Sequence, residues 1–160
     1  MYSQWSRGLI NKRVIDTRAY VSVLKELTEE GKEVSLKIAG NSMSPFLVHE
    51  RDYIYFKKPE KDLKKGDMVF YNRRDGSYIM HRIKKVKDGK YYIVGDAHTY
   101  IEGPVEREQI FAIITKVKRK GKILQAGNFW WEFFEHIWIN VVPIRPVLVM
   151  IYGVFASVVK

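Results

Sequence analysis

The sequence predicts a mainly β fold, a small coiled antiparallel sheet or partly open barrel, with an N-terminal helix and an aromatic-rich C-terminal helical segment. Three observations predict it. Between residues 33 and 117 short runs alternate apolar and polar residues, as in Val34, Leu36 and Ile38 of EVSLKIAG. Asp-Gly pairs at Asp75–Gly76 and Asp88–Gly89 interrupt β-rich runs with the turn chemistry of hairpins. At Asn128 charge thins out, and three of the four tryptophans arrive together in NFWWEFFEHIWINVV.

Taken in order, residues 1–15 show no clear period. DTRAYVSVLKELTEEG then sets Tyr20, Val23, Leu24 and Leu27 on one helical face, with Asp16 or Thr17 to cap its start and Gly31 to end it. The strands follow in RDYIYFKK, in GDMVFYN after a Lys-Lys-Gly turn, in RRDGSYIMHRIKKVKDGKYYIVGD, and in EQIFAIITKVKRKGKIL. The expected division is a helical segment over 1–33, a β domain over 34–125 and a hydrophobic helical segment over 126–160. In that last segment Asn128 can cap a helix through Ile139, Pro143 and Pro146 break it, and Pro146 suits the first turn of a second helix. The uncharged run Val147 to Val159 is shorter than the ~20 residues a spanning helix needs. The expectation is therefore a membrane-associated, interfacial segment, helped by Lys116, Lys118, Arg119, Lys120 and Lys122. The alternative is a helix pair that covers the open sheet.

Composition narrows the chemistry. With 46% hydrophobic residues in 160, the chain can bury a core. The absence of cysteine excludes disulfides, thiolate metal sites and a cysteine nucleophile. The net charge of +10 suits an anionic membrane surface or a nucleic acid, or simply a solvated lysine coat. Nucleic acid is the least favoured of these, because the basic residues are scattered and lack a base-stacking aromatic pattern. The ~30 residues before the sheet are also too few for a supported helix-turn-helix. No signal peptide is expected, since MYSQWSRGLINKR brings charges before any apolar run.

The informative stretch is AGNSMSPF, residues 39–46. A serine hydroxyl attacks only when it is exposed, fixed, and served by a base and by oxyanion donors. Gly40, two residues before Ser42, permits a sharp turn beside a substrate strand, Pro45 fixes the exit, and Met43 supplies an apolar wall. The stretch resembles the Gly-x-Ser-Met-x-Pro box of the signal peptidase I family and of the self-cleaving SOS-repressor peptidase domains. Three further boxes match in order over about residues 34–118: DYIYF…LKKGDMVFY with Gly66, Asp67 and Val69, then YIMHRIKKV, then YYIVGDAHTYIEGPVEREQIFAII.

The resemblance implies a serine endopeptidase that cleaves signal or leader peptides, with Ser42 as nucleophile and His81 as general base. Histidine at this place, followed by Arg82 and an aliphatic residue, is similar to the archaeal and endoplasmic-reticulum type. Imidazole is already a competent base near neutrality, whereas Lys84 or Lys85 would have to be desolvated. The resemblance also implies an orienting carboxylate, at Glu102 where that type has aspartate, or else at Asp96; His98 is a third candidate. Backbone amides around Ser42 and Met43 would hold the oxyanion, since Gly40 stands where some signal peptidases have a serine. Ser44 is the less favoured nucleophile because it follows Met43.

An edge strand near 34–42 would pair with an extended peptide, and the resemblance implies small residues just before the cleaved bond and two places earlier. Gly40, Phe46, Tyr53 and Tyr55 are the candidate substrate-binding residues, with ordinary core burial as the competing fate of the aromatics. No cofactor or metal is called for. The expected partners are a precursor protein and a membrane surface. Two rival readings are a self-processing repressor-like domain and a catalytically weak, membrane-associated binding module.

Overall fold

The computed structural model describes residues 17–158. Helix α1 spans Thr17–Glu29, and the proposed cap Asp16 lies outside the described residues. Its inward stripe is Val21, Leu24 and Thr28, with Leu27 packed beside them. Tyr20 and Val23, expected on that face, are exposed instead. The apolar run was wide enough to admit two faces about 100° apart, and contact with the sheet selects one. Gly31, at φ +81°, ends the helix as Lys32 N–H donates to the Leu27 carbonyl.

Eight antiparallel strands follow: β1 Val34–Lys37, β2 Tyr53–Lys57, β3 Met68–Asn72, β4 Tyr78–Lys87, β5 Lys90–Val94, β6 Glu102–Val105, β7 Ile110–Arg119 and β8 Lys122–Gln125. Their spatial order is β1-β2-β7-β3-β4-β5-β6, with β8 also on β7. The sheet is coiled but not closed into a barrel, so β1 remains an edge strand. The Asp-Gly turns fall where the sequence places them, between β3 and β4 and between β4 and β5. Asp88 and Gly89 both take positive φ, as a tight hairpin with right-handed twist requires. Strand β7 is long enough to share one edge between β3 and β8 while β2 pairs with its other edge.

One core unites the N-terminal helix, the sheet and the aromatic segment: Val21, Phe46, Ile54, Phe70, Trp131 and Phe134 all belong to it. Asn128 caps α2 (Phe129–Glu132), accepting from Trp130 N–H at 3.0 Å. The helical path continues through a π turn (Phe133–Ile137) and a 3₁₀ turn (Trp138–Asn140). After a short Pro143-containing turn, α3 runs Arg145–Val158 with Pro146 in its first turn. Among the described residues no single helix is long and apolar enough to cross a membrane. Phe129–Asn140 and Val142–Tyr152 pass that test only as a pair, bent by 87°.

Phe46, expected as a substrate-binding residue, is fully buried. Its ring lies 4.7 Å from Phe134 and edge-on to Trp131 at 6.2 Å. It is a core plug at the end of the serine loop. Replacing it by alanine should cost about 3–5 kcal/mol of stability in urea denaturation.

Candidate active site

The serine loop is built as a plug with its polar residues left outside, Asn41 exposed and Ser42 and Ser44 half-buried. Met43, Phe46 and Leu47 are buried in the main core, whereas Ser42 between Asn41 and Met43 is only half-buried. Gly40 carries φ +90° with open space around it, so the position requires left-handed backbone. Its N–H donates to His49 Nδ1 at 2.9 Å, and Ser44 N–H donates to the Asn41 carbonyl at 3.0 Å. Among the described residues the amides of Ser42 and Met43 have no such partner. Two adjacent donors at the loop apex are the elements of an oxyanion site.

His81 comes from the middle of β4, opposite Val69 in β3. Tyr71, two residues further along β3, lies on the same face as Val69 and is therefore the diagonal neighbour of His81. Its hydroxyl donates to Glu102 Oε2 at 2.9 Å and stands 3.5 Å from His81 Nδ1. Arg73 donates to both oxygens of Glu102, from Nε at 2.7 Å and from Nη2. This pairing holds the Glu102 carboxyl below its usual range. Burial, with Glu102 beside it, pushes the Tyr71 hydroxyl up, so its proton stays on. A tyrosine hydroxyl that gives its one proton to Glu102 can only accept on the side of His81. Nδ1 then carries the hydrogen and Nε2 keeps its lone pair.

That lone pair faces the serine loop. Gly95 sits where a methyl group would be 2.7 Å from the Ser42 carbonyl oxygen, 2.8 Å from His98 Nδ1 and 3.0 Å from His81 Nε2. Only a residue without a side chain lets these three meet. The Ser42 carbonyl is further tied to this loop by Ala97 N–H at 2.9 Å. Burial, reinforced by His98, lowers the pKa of His81 to about 4, so the ring is neutral at pH 7. Ser42, His81, His98 and Gly40 line one cleft of about 300 Å³. Its apolar wall is Leu36, Ile38, Met43, Phe70, Tyr78 and Met80.

A family model for Peptidase S24-like domains matches residues 1–118, the stretch that holds every one of these groups. The chain belongs to the Peptidase S24-like family. No curated protein and no solved structure matches it. The match is to the peptidase family as a whole; the likeness to histidine-type signal peptidases rests on the sequence motifs alone.

In this S24-like domain several expected residues sit elsewhere. Asp96 is fully buried and paired with Arg82, Nε and Nη2 each at 3.1 Å from one carboxylate oxygen, so it faces Arg82 rather than His81. Glu102 reaches His81 only through Tyr71. His98 packs edge-on to His81 at 5.2 Å, on the Nε2 side, where it cannot orient Nδ1. Tyr53 and Tyr55 lie along β2 outside the cleft, under the ammonium groups of Lys37 and Lys116. Lys84 donates to the Ile139 carbonyl at 2.7 Å and, like Lys85, lines a different concavity. A bulge between Ile83 and Lys85 breaks the alternation that would otherwise put Lys85 on the face of His81.

The supporting roles of four residues, Tyr71, Arg82, Trp138 and Arg145, carry little sequence signal. Tyr71 reads as one more strand aromatic until the β3–β4 register is known. Arg82 donates to the Gly66 carbonyl at 2.9 Å as well as to Asp96. Arg145 is buried and donates from Nη1 to the Gly95 and His98 carbonyls, both at 2.8 Å. Trp138 Nε1 donates to the Asp96 carbonyl at 2.9 Å. The loop under the cleft is thus held from the sheet by Arg82 and from the C-terminal segment by Trp138 and Arg145.

Arg82→Ala strands the Asp96 carboxylate in the interior and should cost about 3–5 kcal/mol in urea denaturation. The depressed pKa of His81 has a second consequence. The unfolded imidazole protonates near 6.5 and the folded one only near 4, so protons favour the unfolded chain. Stability present above pH 6.5 should fall as the pH drops towards 4. His81→Gln should flatten that part of the stability–pH curve, and the His81 ring resonances should titrate near pH 4 in NMR.

Proposed function

We propose that the protein is a serine endopeptidase that cleaves signal or leader peptides from precursor proteins, with Ser42 as nucleophile and His81 as general base. The observation that carries this reading is the meeting of the Ser42 loop and His81 Nε2 over Gly95. The contact reaches the Ser42 carbonyl; no hydrogen bond joins the Ser42 hydroxyl to His81 in this structure, but the half-buried serine and the neutral imidazole line one apolar-walled cleft. The Peptidase S24-like match supports the peptidase class, and the Gly-x-Ser-Met-x-Pro and His-Arg-Ile motifs support the narrower substrate class.

The substrate would lie as an extended strand along β1. Both the N–H and the C=O of Ile38 are taken by the β2 side, at Asp52 and Glu50. Lys37 and Ala39, on the alternate parity, direct their backbone groups to the open edge. A peptide paired there presents alternate side chains to the wall of Leu36, Ile38 and Met80. As the Ser42 oxygen attacks the scissile carbonyl carbon, its proton passes to His81 Nε2. The oxyanion forms against the amides of Ser42 and Met43. His81 then gives the proton to the departing amine, and water repeats the sequence on the acyl-enzyme. The imidazolium formed in each half donates from Nδ1 to the Tyr71 oxygen, and Glu102, held by Arg73, balances its charge. Tyr71 is in this scheme a positioning residue.

Ser42→Ala and His81→Ala should each lower cleavage of a leader peptide by at least about 100-fold while leaving the thermal midpoint within a few degrees. Full activity in either variant ends the proposal. Cleavage confined to the chain itself, at a rate independent of concentration, would assign the site to self-processing instead. Tyr71→Phe should cut kcat about 10-fold or more with KM unchanged, and should move the acid limb of the kcat/KM profile to lower pH, because the imidazolium loses its acceptor. An unmoved limb would make Tyr71 a purely structural residue.

A further inference from the structure

Helix α3 poses a solvation problem that the peptidase site does not explain. Val147 to Tyr152 are six consecutive residues, all exposed, from 36% at Leu148 to 76% at Tyr152. At 100° per residue they cover the whole circumference of the helix. No charged residue occurs from Pro146 to Val158. A protein partner covers one face of a helix, and its remaining faces must then suit water. A helix that is apolar on every side suits a medium that surrounds it, which is hydrocarbon.

A second, independent observation gives the chemistry of that medium. Beside the root of α3 is a concavity lined by Lys64, Lys65, Lys84, Lys85 and Lys87. It adjoins the segment that leads into the helix, since Lys84 donates to the Ile139 carbonyl and Lys65 to Asn140 Oδ1. Its acidic neighbours are Glu135, 3.8 Å from Lys64, and Asp67, whose carboxylate accepts from the Lys64 backbone N–H at 2.8 Å. Among the described residues the side chains of Lys85 and Lys87 have no such partner, whereas the basic run 116–122, like Lys64, Lys65 and Lys84, is partly committed within the protein. Lys116 pairs with Glu33 at 2.7 Å, and Arg119 lies over the rings of Phe46 and Trp130.

We propose that α3 inserts into one leaflet of a lipid bilayer, with the five-lysine concavity set against anionic headgroups. At 1.5 Å per residue its fourteen residues extend ~21 Å, longer than the ~15 Å that one leaflet contributes to a ~30 Å hydrocarbon core, so the helix lies tilted within that leaflet. The sharp bend before it allows the helix to enter the lipid while Trp131, Trp138 and Arg145 stay packed in the domain. This surface is independent of Ser42 and His81, and its failure would leave the peptidase reading untouched.

The test is flotation of the full chain with phosphatidylcholine vesicles, with and without phosphatidylglycerol. The chain should float with both and more strongly with the anionic vesicles, and the excess should vanish at high salt. Val149→Asp with Tyr152→Asp should lower partitioning by at least about 100-fold. Lys85→Ala with Lys87→Ala should remove about 10–30-fold of the anionic preference. All variants should cut a short soluble peptide at the parent rate. A chain that stays with the unfloated fraction overturns the proposal, as does flotation unaffected by the two aspartates. Equal binding to the two vesicle types overturns the role of the lysines. A dimer that forms without lipid, fails to float and is dispersed by the aspartates would give the helix to a second copy of the chain.

Discussion

The buried pair of Arg82 and Asp96 is the constraint on which the rest of the site depends. Two charges with side chains 1% and 0% exposed can remain in the interior only if each satisfies the other and the neighbouring backbone. They do so by joining β4, through the residue next to His81, to the turn that follows β5. The geometry of that turn is thereby fixed, and with it the position of Gly95, whose bare Cα brings the Ser42 carbonyl and the His81 ring together. His81 and the serine loop come from distant parts of the chain, and this ion pair is the bolt between their supports.

Around that bolt, apolar packing and polar order divide the work. The serine loop is held by what it buries, since Ile38 before it and Met43, Phe46 and Leu47 after it anchor a turn that only Gly40 can make without strain. The histidine is held by what it faces, a tyrosine that can only accept. Burial of the ring is costly for its charged form and hence keeps it neutral, the state a general base must start from. The same burial makes the imidazolium expensive, and the line from Tyr71 to Glu102 and Arg73 offers that transient charge a counterweight without an acid in direct contact.

The C-terminal segment serves two environments. Its inner half closes the core with Trp131, Phe134 and Trp138 and braces the cleft loop through Arg145. Beyond Pro146 the chain turns away and shows apolar surface on every side. The brace and the exposed helix are continuous in sequence, joined at Arg145.

Much of this was legible in the residues. Hairpin turns at Asp75–Gly76 and Asp88–Gly89, the cap at Asn128, the break at the prolines, and the left-handed glycine before Ser42 are local matters, set by backbone sterics and neighbouring side chains. The order of four short motifs pointed to the peptidase class for the same reason, because each motif is a local shape. What the sequence could not rank were choices made by contact across the fold. The inward face of α1 was decided by the sheet beneath it. Phe46 went to the core because Trp131 and Phe134 cover it from eighty residues away. Asp96 went to Arg82 and Glu102 to Tyr71 because strand register, shifted by bulges, set which side chains share a face. Sequence by itself determined the turns, caps and alternating strands, since these depend on residues within a few positions of one another; tertiary structure decided which carboxylate serves which partner, since a side chain's neighbour across a coiled sheet is fixed only when the whole sheet is packed.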